Sequence, residues 1–569
     1  MRRFLVGFLA TIGALTILAL LAAGGLGWWA ASRLLGPSSL PEKIVLRVDL
    51  RETIGEVEGP PRLGPAGLGS PPTLSEVVLA LDRARRDPRV RGLVGLVGDS
   101  AHGLAVAREL RQAVERFRAS GRFALAWSDS FAELGSGIEG YYIASAFDEV
   151  VLQPVGAVGL TGLLIEAPFI RPLLDRLGID AAVSRRADYK TALESFTEPY
   201  PTPANKEMLE SLADSLHGTL VAEIAAGRRL DPSRASGLVG GGPYDAEEAR
   251  ALGLVDRLAY RDEIERDARD RAGDGAELVD LERYERATAE ENAETVVALV
   301  RAAGPIVRGS GELTGTIAGD SLAEAIADAI EASDVRAILL RLDSPGGSAV
   351  ASETVAREVR RAAAAGKPVV VSMGNRAASG GYWIAADAAR IVAQPTTLTG
   401  SIGVLAGKPV LARAWERLGV NWARIERGEH AALWSINVPF DAAGQARVER
   451  LLDSLYGTFK SGVARARSLS LEQVEDIARG RVWTGAQARE LGLVDREGGL
   501  EEALDEIRAV LALPADTPLR LRPVPEERAF WRLASRLIAT SEAALRAASQ
   551  LKALFEAFVN GAVVLPTFR

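Results

Sequence analysis

The chain repeats itself. EEARALGLVDRL at 247–258 returns as AQARELGLVDRE at 486–497, and GYYIASAFDEVVLQP at 140–154 returns as GYWIAADAARIVAQP at 381–395, both about 240 residues later. Upstream, VRGLVGLVGDS at 90–100 parallels VRAILLRLDSP at 335–345, and KIVLRVDL at 43–50 parallels TVVALVRA at 295–302. Self-similarity on this scale constrains the architecture before any single element is considered, because what one copy folds into the other must fold into as well. It divides the sequence into a first unit at 37–290 and a second at 291–515, flanked by 1–36 and 516–569.

Within each unit, apolar β-rich runs alternate with Ala/Leu/Arg stretches of helical period. The second unit reads AILLRLD, ASETVAREVRRAAAAG, PVVVSMG and YWIAADAA in succession. This alternation predicts an α/β fold with parallel strands buried on both faces. Pro345-Gly346-Gly347 marks a turn, Gly366-Lys367-Pro368 closes a helix before a strand, and Gly380-Gly381 opens the next helix. Beyond 515 the pattern changes to an amphipathic helical segment at 525–558, expected to dock on its own domain or on a sister subunit.

The amino-terminal flank is of another kind. Residues 4–31 run roughly 28 positions without a charge, more than the roughly 20 that a bilayer crossing requires. Arg2 and Arg3 precede the run and Trp28 and Trp29 lie near its far end, predicting a single-pass transmembrane anchor with a cytoplasmic N-terminus and the remaining chain outside. A cleavable signal peptide is the competing reading, disfavoured by the length of the run.

Composition removes several chemistries. With no cysteine in 569 residues, thiol catalysis, disulfides and thiolate metal sites are excluded together. Only His102, His217 and His430 remain for imidazole chemistry, so neither a metal centre nor a cofactor is expected. The net charge of −8 argues against a nucleic-acid partner.

α/β folds place their sites at the carboxyl ends of parallel strands. In the second unit one such end runs into Ser344-Pro345-Gly346-Gly347 and another into Ser379-Gly380-Gly381. A serine at a strand-to-helix turn followed by glycines suits a nucleophile. Gly347 in the first turn and Gly380 in the second are placed to supply the two backbone N–H groups of an oxyanion hole. A serine before glycine is also a common helix N-cap. The comparison of copies bears on this choice: Ile138 stands opposite Ser379, and DSPGG becomes Asp99-Ser100-Ala101-His102-Gly103. A serine that one copy replaces with isoleucine is not required by the fold.

No histidine is well placed to activate Ser379, which leaves a lysine kept neutral by burial as the candidate base. Lys190, in RRADYKTALESF, aligns with Ala431 in RGEHAALWS. One copy keeps the serine and the other keeps the lysine, most simply as a dyad shared between units.

Taken together, DSPGG, NRAASGGYWIAADAARIVAQPTTLTGSIGV, RRADYKTALESFTEPYP, the anchor and the tandem repeat resemble the long form of the signal peptide peptidase A family of serine endopeptidases, family S49. The resemblance implies a crotonase/Clp-protease type of α/β fold, Ser379 as nucleophile and Lys190 as general base. It also matches Ser401, in TTLTGSIGV, to a serine beside the lysine ammonium, although a turn serine would look the same. Peptide substrates, signal peptides above all, an inner-membrane location and lipid contact through residues 4–31 follow from it. Because the surviving pair is split between units, the site is expected where units pack together, and a homo-oligomer, a tetrameric ring with alternating units, is expected with it. Two alternatives are a crotonase-like acyl-CoA enzyme and an inactive membrane scaffold. The first would need neither Ser379 nor Lys190 and would lack CoA outside the cytoplasm; the second leaves the retention of both unexplained.

Overall fold

In the first unit the Val/Leu/Ile runs form β1 (Ile44–Leu50), β2 (Val90–Val97), β3 (Phe123–Ser128) and β4 (Glu149–Leu152). β5 (Asp180–Arg185) departs from this sheet, which β6 (Arg257–Leu258) and β7 (Glu277–Asp280) complete in the order β6-β4-β3-β2-β1-β7, every pair parallel. This is a computed structural model, and it describes residues 40–57, 62–64, 67–69, 71–133, 135–288, 293–311 and 315–525. The apolar segment at 4–31 and, past residue 525, the amphipathic segment lie outside the described residues. Among the described residues no helix is long and apolar enough to cross a membrane.

The second unit repeats the plan with β8 (Thr295–Ala303), β9 (Val335–Ser344), β10 (Val369–Ala378), β11 (Arg390–Ala393), β12 (Leu398–Gly400), β13 (Leu405–Val410), β14 (Val482–Thr484), β15 (Arg496–Glu497) and β16 (Leu519–Val524). Its sheet runs β14-β12-β10-β9-β8-β16, with β11 also against β10 and β15 against β11. Only the β12–β14 pair is antiparallel, and β16 carries the sheet past residue 515.

The helices carry the duplication as well. α1 (Leu104–Ala119) and α2 (Ile138–Ala144) have 16 and 7 residues, and α3 (Pro203–Arg228) has 26. Their counterparts α4 (Ala349–Ala364), α5 (Gly380–Ala386) and α6 (Ala442–Arg467) have the same 16, 7 and 26.

Two-residue alternation sorts the central strands of the second sheet into two layers. Val297, Leu299, Leu339 and Val370 belong to one core with Leu110 of α1 and Tyr141 of α2, so this face looks into the first unit. Val296, Ile338, Leu340, Val371 and Met373 pack instead with the second unit's own helices. A strand needed in both layers has little room for polar side chains, which is why AILLRL shows no polar alternation and its single charge, Arg341, is a paired exception. Each fully buried side chain of this kind contributes about 1.5–3 kcal/mol.

Arg341 shares the parity of Leu339 and so points toward the first unit. There its guanidinium lies 2.6 Å from Glu56 and 2.8 Å from Glu109, and 2.8 Å from Ser372 Oγ on the neighbouring strand. Burial raises the Glu109 pKa, against the pull of the Arg341 charge. Separating the partners of a buried ion pair is costly, so the cluster penalises any docking of the units that pulls them apart. The second link is β5, which crosses over and pairs antiparallel with β13, from Arg185 opposite Leu405 to Asp180 opposite Val410.

Candidate active site

β10 and β12 end side by side. Ala378 is paired with Gly400, and the next residue on each strand, Ser379 and Ser401, takes a positive φ, 54° and 51°. Ser379 is held there by its N–H, which donates to Gly400 O at 2.9 Å. Left-handed backbone at a non-glycine residue costs on the order of 1 kcal/mol or more and persists only where surrounding structure imposes it. The Ser379 side chain makes no capping bond to α5, so its hydroxyl does not serve as the N-cap that the sequence left open. Ile138, its counterpart, is a buried core residue at the start of α2.

Lys190 comes from the other unit. Past the β5–β13 ladder, Arg186 N–H donates to Val404 O at 2.9 Å and Tyr189 N–H to Arg479 O at 3.1 Å, which fixes the segment leading to the lysine. Lys190 is 3% exposed, with Nζ 3.0 Å from Ser379 Oγ, 2.9 Å from Ser401 Oγ and 2.8 Å from Ser401 O. Burial pulls its pKa from 10.5 down to about 7, and no carboxylate opposes the shift. Desolvation penalises the ammonium, and without an anion nothing restores it. A neutral amine here can donate to both Ser401 oxygens and accept the Ser379 hydroxyl proton on its lone pair.

The segment that seats the lysine escaped sequence reasoning. Gly480 has φ +81°, and a Cβ on it would lie 2.5 Å from Lys190 N. Its neighbour Arg481 accepts the Ser401 N–H at 2.7 Å, and the guanidinium groups of Arg479 and Arg481 lie over the Tyr189 ring. ARGRVW holds one glycine and no nucleophile or base that would single it out.

The glycine turn faces Ser379. Ser344 Oγ accepts the Gly346 N–H at 3.1 Å and donates to Gly304 O at 2.8 Å, which ties the turn to the end of β8. A Cβ on Gly346 would lie 2.8 Å from Ser379 Cβ, and one on Gly347 would lie 2.1 Å from Ile306 O, so side chains are barred from both positions. A Cβ on Gly380 would lie 3.2 Å from Gly347 N, so the two turns meet. Among the described residues neither the Gly347 nor the Gly380 N–H has a partner within the chain. His102 is buried in the first unit between Ile54 N–H and Leu50 O, and none of the three histidines bonds Ser379.

Sequence comparison assigns this geometry to a family. The family described as Peptidase family S49 matches residues 119–274 and 361–513, more than half of the chain. This chain belongs to peptidase family S49. The first S49 segment contains Lys190, and the second contains Ser379, Ser401 and Gly480. The chain is 30% identical over 460 residues to the protein named Serine protease SPPA, chloroplastic, of Arabidopsis thaliana, covering 79% of this chain and 66% of that one. It is 32% identical over 446 residues to Protease 4 of Salmonella typhi, covering 76% and 71%. Against Protease 4 of Haemophilus influenzae it is 29% identical over 464 residues, covering 78% and 74%. The expectation of a tandem α/β chain of family S49 is met.

Proposed function

We propose that this chain is a membrane-anchored serine endopeptidase that cuts extended peptides, released signal peptides among them, with Ser379 as nucleophile and Lys190 as general base. One observation carries the reading: a buried amine with no anionic neighbour and a pKa near 7 lies 3.0 Å from a serine hydroxyl. Lys190 takes the hydroxyl proton as Ser379 Oγ attacks the carbonyl carbon, and the Gly347 and Gly380 N–H groups receive the oxyanion. The resulting ammonium, held by Ser401, returns the proton to the departing amine, and water then attacks the acyl-serine by the same route. Residues 4–31 anchor the chain in the inner membrane with its N-terminus cytoplasmic, ahead of units at 37–290 and 291–515 and a tail at 516–569. An acyl-CoA enzyme of similar fold would leave the Lys190–Ser379 contact without a task. A serine-directed fluorophosphonate is expected to label one residue per chain, on the proteolytic fragment bearing Ser379. Absence of labelling, or labelling of another serine, would overturn the assignment.

The same reading includes a tetrameric ring, and the β5–β13 joint supports it. Shifted along the repeat by 241 residues, β13 falls on 164–169 and β5 on 421–426. The latter stretch is not a strand within the chain, and its Trp422 and Ile425 are 55% and 88% exposed. Two large apolar side chains exposed on one short stretch fit a contact surface. Repeating the joint from one copy to the next sets Ile165 against Ile425 and Glu166 against Arg424, and head-to-tail contacts of this type close into rings. In this cysteine-free chain, Glu166→Cys combined with Arg424→Cys is expected to form disulfides between chains under mild oxidation, giving covalent multimers on a denaturing gel. Disulfides confined to single chains, or a fully active monomer by light scattering, would refute the ring.

A further inference from the structure

The first unit's copy of the glycine turn is occupied. Asp99-Ser100-Ala101-His102-Gly103 lies just past the end of β2, as Asp343-Ser344-Pro345-Gly346-Gly347 runs off the end of β9. Ser100 donates to Arg51 O as Ser344 donates to Gly304 O. Ile54 N–H closes on this turn through His102 Nδ1 at 3.2 Å, as Ile306 N–H closes on the other through Gly346 O at 2.9 Å. The two units part company at the helix that follows. Glu139 stands where the second unit has Gly380, and its Oε2 accepts N–H bonds from His102 at 2.7 Å and Gly103 at 2.8 Å. Counted back from the helices that follow, α1 with N-cap Gly103 and α4 with N-cap Ser348, His102 is the residue that stands where Gly347 does. A carboxylate oxygen therefore rests on the amides that correspond to the turn in front of Ser379.

Among the described residues no cation balances this carboxylate. Desolvation raises its pKa, and only the amides of Gly103 and His102 pull it back down. It is held as a reaction oxyanion is held, by converging backbone N–H groups in a partly dehydrated pocket. Thr53, which donates to Ala101 O of the turn, also lines a cleft of about 510 Å³ together with Ile54, Gly98 and Asp99, so the turn borders an open approach.

We infer that the His102–Gly103 turn is a carboxylate-binding site whose resident ligand is Glu139, and that a small carboxylate takes the same place once that side chain is shortened. The inference does not depend on the role of Ser379. It gives the first unit a preserved anion site sealed by its own chain, in place of a turn that decayed when the serine was lost. The test uses the full chain carrying Glu139→Ala, with sodium formate as probe and sodium chloride at equal ionic strength as control. Losing the partner of two part-buried amides is expected to lower the thermal midpoint by a few degrees. Formate is expected to restore at least half of that loss in a saturable manner, leaving the parent and Glu139→Gln, which keeps an acceptor oxygen in the pocket, unmoved. Should the alanine variant fail to fold, Glu139→Ser takes its place with the same readout. An undiminished midpoint in the shortened variant, or formate acting no better than chloride, would overturn the inference.

Discussion

Ser379→Ala is expected to lower kcat/KM on a small peptide ester or amide by roughly four to six orders of magnitude, the range in which loss of a nucleophile falls. Folding should be untouched. The hydroxyl caps nothing, and the Ser379 N–H bond to Gly400 O survives the substitution. The first unit shows that this position accepts even isoleucine, as Ile138, without loss of the helix that follows. Steady-state kinetics with a matched melting curve checks both halves of the statement. Activity within about threefold of the parent would place the nucleophile elsewhere.

Substitutions of Lys190 are expected to come next in size, and Lys190→Met to move activity and stability in opposite directions. Lys190→Arg should be as inactive as Lys190→Met, because a guanidinium does not give up its proton at usable pH. In the parent, kcat/KM should climb as the amine deprotonates, with a midpoint near its pKa of about 7, and level off above it. The stability effect has its own sign. An unfolded lysine keeps its proton up to about 10.5, whereas the folded one releases it near 7, so between those values the unfolded chain binds more protons and stability rises with pH. Below 7 the buried amine costs the fold on the order of 5 kcal/mol. Lys190→Met is therefore expected to raise the thermal midpoint, most at pH 6 and least near pH 10. A methionine variant less stable than the parent at pH 6 would mean that the ammonium is well solvated or paired, and the neutral-base reading would fail with it.

Ser379 and Lys190 were legible in the sequence because the duplication acts as an internal control. Ile138 and Ala431 stand at the same two positions in the other copies, so the two departures that the structure brings together stand out from the fold. The parallel sheets were legible for a related reason, since strands such as AILLRLD are apolar on both faces over most of their length, as serving two cores requires. Other parts left no such trace. The β5–β13 joint is made by DAAVSR and LAGKPV, short runs of weak alternation whose pairing is set by the docking of units. Gly480 is recognisable as special only once Lys190 is seen against it. β16 lies past the last repeated motif, so its addition to the second sheet could not be read by comparing copies. Nothing in the sequence pairs Arg341 with Glu56 and Glu109, which belong to the other unit.

The crossing of β5 into the second unit has a consequence in time. Lys190 is synthesised 189 residues ahead of Ser379, and Gly480, which seats it, follows later still. On the proposed mechanism a growing chain carries its base long before its nucleophile, and the β5–β13 joint that brings the two together needs strands from both units. On that reading neither half alone holds a dyad, so a truncated or half-made chain is expected to lack peptidase activity. The order of the residues along the polymer acts as a safety catch that is released only by finishing the molecule.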